Sequence, residues 1–167
     1  MKFVSTLVLA LLLSFSAIAA EQKVAIVNMQ NALTQTKEWK STLATLDKEA
    51  AGKKKELDEL KKGLEKDRDE LEKQKNVLSP QALQTKAQEM QKRFFEMQNK
   101  AANYERDLNQ RQAEAANNIA EELRTLVAEI SKKDGYTIVI DNQAVLYFSD
   151  AKDITADLVK AFNKKKR

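Results

Sequence analysis

The chain has 167 residues, with no Cys, no His, one Pro and three Gly. Charged residues are 32% of it, yet 29 Lys and Arg against 25 Asp and Glu leave a formal charge of only +4. This composition excludes disulfide staples, removes the commonest general base and metal ligand, and leaves little turn-forming material for a multilayer enzyme; it is the composition of long helices.

Met1-Lys2 gives a positive start, Phe3 to Ile18 is apolar apart from Ser and Thr, and Ala17-Ile18-Ala19 is a small-x-small site. The pattern predicts a cleavable secretory signal peptide over 1–19, cut between Ala19 and Ala20, and therefore export. A membrane anchor is the alternative, but the apolar run is short and no stop-transfer pattern follows. Next, Lys23-Val24-Ala25-Ile26-Val27-Asn28-Met29 is rich in β-branched residues without alternation, which predicts a strand buried on both faces. Asn31 or Thr34 is the expected cap of the helix behind it.

Leu43, Ala50, Leu57, Leu64, Leu71 and Leu78 then recur every seven residues. The matching d positions are Ala32, Trp39, Leu46, Lys53, Leu60, Asp67 and Gln74, and they turn polar toward the far end. Such a stripe needs a partner helix. Ser79-Pro80, which holds the only proline, supplies it: Ser caps free N–H groups, Pro suits the first helical position, and the residue before Pro avoids the α region. This is the tip of an antiparallel helical hairpin. Beyond it Leu83, Ala87, Met90, Phe94, Met97, Ala101, Tyr104 and Leu108 form a 4-3 seam, which falters at Arg111 and Asn118 and resumes one residue out of phase at Ile119, Leu123, Leu126 and Ile130.

Asp134-Gly135 ends the second helix. A β-hairpin is expected next: Tyr136 to Asp141, a turn at Asn142-Gln143, and Ala144 to Phe148. Asp153 then caps a short helix from Ile154 to about Asn163, ahead of the basic tail Lys164 to Arg167. The expected fold is α+β, mostly α: a long antiparallel coiled-coil hairpin, 32–133 with its tip at 79–80, projecting from a small β body made of 20–31 and 134–167. A body this small without disulfides or metal calls for oligomerisation as its staple. Val24, Ile26, Val27, Ile138, Val139, Ile140, Val145 and Leu146 are the expected oligomer-body residues.

These features together resemble the Skp/OmpH family of periplasmic chaperones. Lys23 to Met29 is similar to that family's first strand, Thr137-Ile138-Val139-Ile140-Asp141 with Ala144-Val145 to its C-terminal hairpin, and Lys152-Asp153-Ile154-Thr155-Ala156-Asp157-Leu158 to its final helix. The resemblance implies a homotrimer whose helical arms enclose a cavity. It also implies an ATP-independent holdase for unfolded outer-membrane proteins between the translocation and insertion machineries.

From Lys48 to Lys75 there are ten Lys or Arg and nine Asp or Glu. The expected reading is a solvated face of i,i+3 and i,i+4 pairs rather than a phosphate-binding stripe, and nucleic acid is not an expected partner. Lys92, Arg93, Lys100 and Arg106, with Arg111 nearby, form a basic cluster on the second helix. The resemblance implies lipopolysaccharide or anionic lipid as a partner for basic residues on this arm. Carboxylate pairs such as Asp67 with Asp69 and Glu121 with Glu122 have no His, Cys or Gly-rich loop beside them, so no catalytic site, metal or cofactor is expected.

The most informative feature is an imbalance. Folded at Ser79, the chain sets Met90, Phe94, Phe95 and Met97 opposite Leu60 and Leu64 but also Asp67 and Gln74. Apolar surface is left over, with Phe95 one residue off the seam, and these four residues are the candidate contacts for an unfolded client. The polar d positions Lys53, Asp67 and Gln74 are expected to loosen the seam toward the tip, giving flexible arms. The alternative function is an exported coiled-coil spacer or adaptor that docks by its tip on an envelope machine.

Overall fold

A computed structural model describes residues 22–165; the expected signal peptide lies outside the described residues. Strand β1 (Val24–Val27) leads into helix α1 (Met29–Gln35) and helix α2 (Lys37–Gln74). After the tip, helix α3 runs from Pro80 to Asp134, followed by β2 (Ile138–Asp141), a 3₁₀ turn (Asn142–Ala144), β3 (Lys152–Asp153) and helix α4 (Thr155–Lys165). The fold is α+β and mostly helical, a long hairpin of α2 and α3 on a small sheet. At the standard rise, the 55 residues of α3 span about 80 Å.

Local chemistry sets each boundary. The Asn28 side chain, not Asn31 or Thr34, caps α1 by accepting from Asn31 N–H at 2.7 Å. The first helix is broken once, because Thr36 adopts an extended conformation and caps α2, accepting from Trp39 N–H at 3.1 Å while its hydroxyl donates to Leu33 C=O at 2.9 Å. At the tip, the Ser79 hydroxyl accepts from Ala82 N–H at 3.3 Å ahead of Pro80. Gly135 ends α3 in the left-handed region at φ 76°, and Tyr136 N–H reaches back to Ser131 C=O at 3.0 Å.

The sheet is parallel throughout, in the order β2-β1-β3, with Val24 beside Ile138, Ala25 beside Lys152 and Ile26 beside both Ile140 and Asp153. The expected β-hairpin is therefore corrected. β1 is central and both of its edges are filled. Asp141 accepts from Gln143 N–H at 3.1 Å and turns the chain away from the sheet. Residues 145–151 carry no strand, so Val145 and Leu146 lie outside the sheet. Only β1 is buried on both faces; β2 is an edge strand, and Ile138 is 45% exposed there.

The core is a single cluster of Ala25 and Val27 from β1, Ala32 and Leu33 from α1, Ile119, Leu123 and Leu126 from α3, and Ile154, Leu158 and Phe162 from α4 or just before it. The phase slip read at Asn118 has its cause here: beyond it, α3 turns its apolar stripe from α2 to the body. Helix α4 also fastens both ends of α1, its start at Asn28 and the break into α2 at Lys37. The Thr155 hydroxyl accepts from Asn28 N–H at 2.8 Å, and the Asn163 side chain accepts from Lys37 N–H at 2.9 Å.

Candidate functional site

The hairpin is held by apolar residues and by a ladder of polar contacts. From base to tip, Arg111 bonds Glu49 on both carboxylate oxygens, Lys53 bonds Asp107 at 3.0 Å, Lys100 and Tyr104 bond Glu56, Arg93 bonds Asp67, and Lys86 bonds Gln74 at 2.9 Å. Each polar d position, Lys53, Asp67 and Gln74, thus has a partner on the other helix, where the sequence alone leads one to expect unanswered weak points. The partners Lys86, Arg93, Lys100 and Asp107 are themselves spaced by seven.

The densest rung is at Glu56. Its carboxylate accepts from Lys100 and from the Tyr104 hydroxyl at 2.6 Å, and the Lys53 ammonium sits 4.3 Å from the Tyr104 ring centroid. The Lys100 bond, then the Tyr104 bond, hold the Glu56 carboxyl below its ordinary value, and the same Glu56 bond holds Lys100 above its own. The Arg111 bond lowers Glu49 in the same way.

The four candidate client contacts separate into two pairs. Met90 and Met97 are half-buried and line shallow crevices between the arms: Met90 with Leu71, Lys86 and Arg93 in one of about 180 Å³, Met97 with Leu60, Leu64 and Lys100 in one of about 170 Å³. Phe94 and Phe95 are 44% and 52% exposed, and their rings meet edge to face at 6.2 Å. The 4-3 spacing predicts Phe94 in the seam, but the structure exposes it. The ladder needs Arg93 and Lys100 to face α2, and that rotates Phe94 to the flank.

The basic cluster also splits. At 3.6 residues per turn Lys92 and Arg106 share one face of α3, while Arg93 and Lys100 share another, where both are engaged by α2. Lys92 pairs along its own helix with Glu96 at 3.9 Å, and Arg106 makes no salt bridge among the described residues. The four do not form one continuous patch.

The outward face of α3 carries a second period, one of amides rather than apolar residues. Gln81, Gln84, Gln88, Gln91, Phe95, Asn99, Ala102, Arg106, Asn109 and Ala113 recur every three or four residues and are all exposed. They make the outward face of α3 mostly uncharged amide around Phe95. The signal was legible as a helical period of Gln and Asn, but a search for apolar periodicity passes over it.

A long helical hairpin on a small sheet, with an exposed aromatic pair and shallow crevices along the arm, defines the class of fold. The chain belongs to the OmpH-like family, since the family model described as "Outer membrane protein (OmpH-like)" matches residues 23–162. Proteins named Chaperone protein Skp are similar along nearly the whole chain. The one from Pectobacterium atrosepticum is 29% identical over 91% of this chain and 93% of its own. The one from Yersinia enterocolitica is 30% identical over the same shares. The fold matches a crystal structure described as an outer membrane chaperone (OmpH-like) from Caulobacter crescentus CB15, with a TM-score of 0.76, 21% identity, and coverage of 87% of this chain and 86% of that one.

Proposed function

We propose that this chain is an ATP-independent holdase of the periplasm that binds unfolded outer-membrane β-barrel proteins and prevents their aggregation before membrane insertion. The observation that carries the reading is the solvent-facing pair Phe94–Phe95 on an arm whose surrounding face is amide-rich. Aromatic rings take up apolar client side chains without demanding one sequence. Gln and Asn both donate and accept hydrogen bonds, so they also suit the unpaired backbone of an unfolded chain. Holding of this kind breaks no bond and needs no catalytic residue.

In this reading the signal peptide is 1–19, the body is 20–31 with 134–167, and the arm is 32–133. The body, built around Val24, Ile26 and Val27, forms a homotrimer through the more exposed Ile138, Val139, Ile140, Val145 and Leu146, and the client lies in a cavity between arms. Met90, Phe94, Phe95 and Met97 face that client. Lys92 and Arg106 remain available for lipopolysaccharide or anionic lipid, whereas Arg93 and Lys100 serve the hairpin first.

The test is aggregation of a denatured β-barrel protein on dilution, followed by light scattering. Phe and Ser have similar helix propensities, so Phe94→Ser/Phe95→Ser keeps its helical content. The double variant is expected to need several-fold more chaperone for the same suppression. Equal potency with the parent would remove the pair from the site. A spacer or adaptor is the second reading, favoured by Val77, which is 84% exposed at the tip. Such a protein would leave aggregation of the diluted client unchanged.

A further inference from the structure

Two stretches of α3 repeat each other. Glu-Met-Gln stands at 89–91 and again at 96–98, and Lys86, Arg93 and Lys100 bracket the two copies. The structure turns this repeat into a repeated shape. Met90 and Leu71 line one crevice between the arms, and Met97 and Leu64 line the other, so the lining pair moves by one heptad. Glu89 and Glu96 correspond in the same way, and Arg93 belongs to both crevices. Seven residues of helix set the two about 10.5 Å apart along the arm. One heptad nearer the body, Tyr104 takes the position of Met97. The Lys53 ammonium lies 4.3 Å and that of Lys100 5.7 Å from its ring centroid, and its hydroxyl donates to Glu56 at 2.6 Å. There the arm fills its own position with an aromatic ring beside bases from both helices. At Met90 and Met97, bases still line the rim, but spaces of about 180 and 170 Å³ are left open.

We infer that the two crevices take aromatic side chains spaced three residues apart on an extended client. The lining sets the class of side chain. A thioether, an aliphatic floor and a cationic rim all attract an aromatic ring, and Tyr104 shows the fit within the same arm. The spacing sets the conformation. In a β-strand, side chains at i and i+2 are about 6.6 Å apart and those at i and i+4 about 13 Å, while i and i+3 point to opposite faces. In the polyproline II conformation three residues make one turn and rise about 9.3 Å, so i and i+3 share a face near the required span. A helix matches the span at i and i+7, but its carbonyls are bonded internally. Arg93 bonds Asp67 through one guanidinium nitrogen, and a guanidinium carries five N–H donors, which the free carbonyls of an extended chain can meet. A client held in this way is kept out of the strand conformation through which unfolded barrel segments associate. The inference rests on the holdase reading and adds what the arm selects.

The experiment is fluorescence anisotropy of labelled Ser/Gln peptides that carry two Phe at i,i+2, at i,i+3 or at i,i+4, titrated with the mature chain. The i,i+3 peptide is expected to bind about fivefold more tightly than either neighbour, and to bind more tightly than its counterpart with two Leu. Met97→Tyr fills one crevice as Tyr104 fills its own position, and is expected to bind the three Phe peptides alike. Met90→Tyr repeats that test at the other crevice, and Met97→Leu, which leaves the crevice open, is expected to keep the preference. Circular dichroism checks that all variants stay helical. The proposal is overturned if the parent binds the three spacings alike or prefers another, or if the Leu peptide binds equally well. It is equally overturned if the helical Tyr variants keep the parental preference, or if a helical peptide with Phe at i,i+7 binds more tightly than the i,i+3 peptide. Aggregation suppression separates the two readings. A parent that suppresses aggregation without a spacing preference fails this inference alone, and one that prefers i,i+3 but leaves aggregation unchanged fails the holdase reading alone.

Discussion

At the scale of single residues, the ladder makes the arm sensitive to acid. Glu49 and Glu56 have carboxyls held below their ordinary 4.5, by Arg111 and by Lys100 with Tyr104 respectively. A depressed carboxylate contributes stability that is present above the unfolded value and is lost as pH falls through the folded one. Lys100 and Arg111 are raised, by Glu56 with Tyr104 and by Glu49 respectively, so their share is present throughout the neutral range and is lost only in strong alkali. The arm should therefore be indifferent to pH from about 5 to 9 and weaken below about 4.5. Trp39, the sole tryptophan, packs against the body core and reports on the base, while far-UV circular dichroism is dominated by the arm. Acid is expected to lower the midpoint of the dichroism melt more than that of the Trp39 fluorescence melt. In Glu49→Gln/Glu56→Gln that difference between pH 7 and about pH 3 should shrink, since neutral amides cannot titrate. An undiminished difference would assign the acid response to other carboxylates.

At the scale of elements, α2 carries a removable weakness. Gly52 lies inside a 38-residue helix, and a Cβ built on it meets nothing within 4 Å. Gly63 has only the Arg93 side chain at 3.7 Å. Neither position needs glycine for space or for a positive φ, and each costs the helix about 1 kcal/mol relative to alanine. Gly52→Ala should therefore slow amide exchange around residues 48–58, and a faster exchange would reveal strain that the open surroundings do not show. The same helices show what a sequence can and cannot disclose. The tip at Ser79-Pro80 and the stop at Gly135 are local chemistry and were legible. So was the slip after Asn118, because Ile119, Leu123 and Leu126 keep their own period. β3 was not legible: Lys152 and Asp153 have exposed, charged side chains, and only backbone pairing with Ala25 and Ile26 makes them a strand. Ala144 to Phe148 has strand-like composition, but the 3₁₀ turn at Asn142–Ala144 carries it away from the open edge of β2. Apolar periodicity places Phe94 in the seam because it ignores Arg93, which faces α2 and bonds Asp67 there.

At the scale of the whole molecule, the body is incomplete as it stands. Its buried cluster draws on β1, α1, α3 and α4, but the β2 edge is open and Ile138 is half-exposed there. Just beyond the 3₁₀ turn, Leu146 is 106% exposed and Tyr147 and Phe148 follow it into solvent. An open strand edge beside an apolar run is a template for pairing, and monomeric proteins blunt such edges with charge or proline. Here the edge strand reads Ile138-Val139-Ile140-Asp141, with one charge at its end. A second copy would cover both features at once, adding Val145 and Leu146 to a shared core that the single chain cannot assemble. The parent is therefore expected to sediment as an oligomer at micromolar concentration. Leu146→Ser/Tyr147→Ser, which changes nothing in the buried cluster of the single chain, should shift it toward monomer while the α2–α3 hairpin stays helical by circular dichroism. A monomeric parent would remove oligomerisation from the account of the body's stability. An unshifted double variant would place the interface elsewhere on the body.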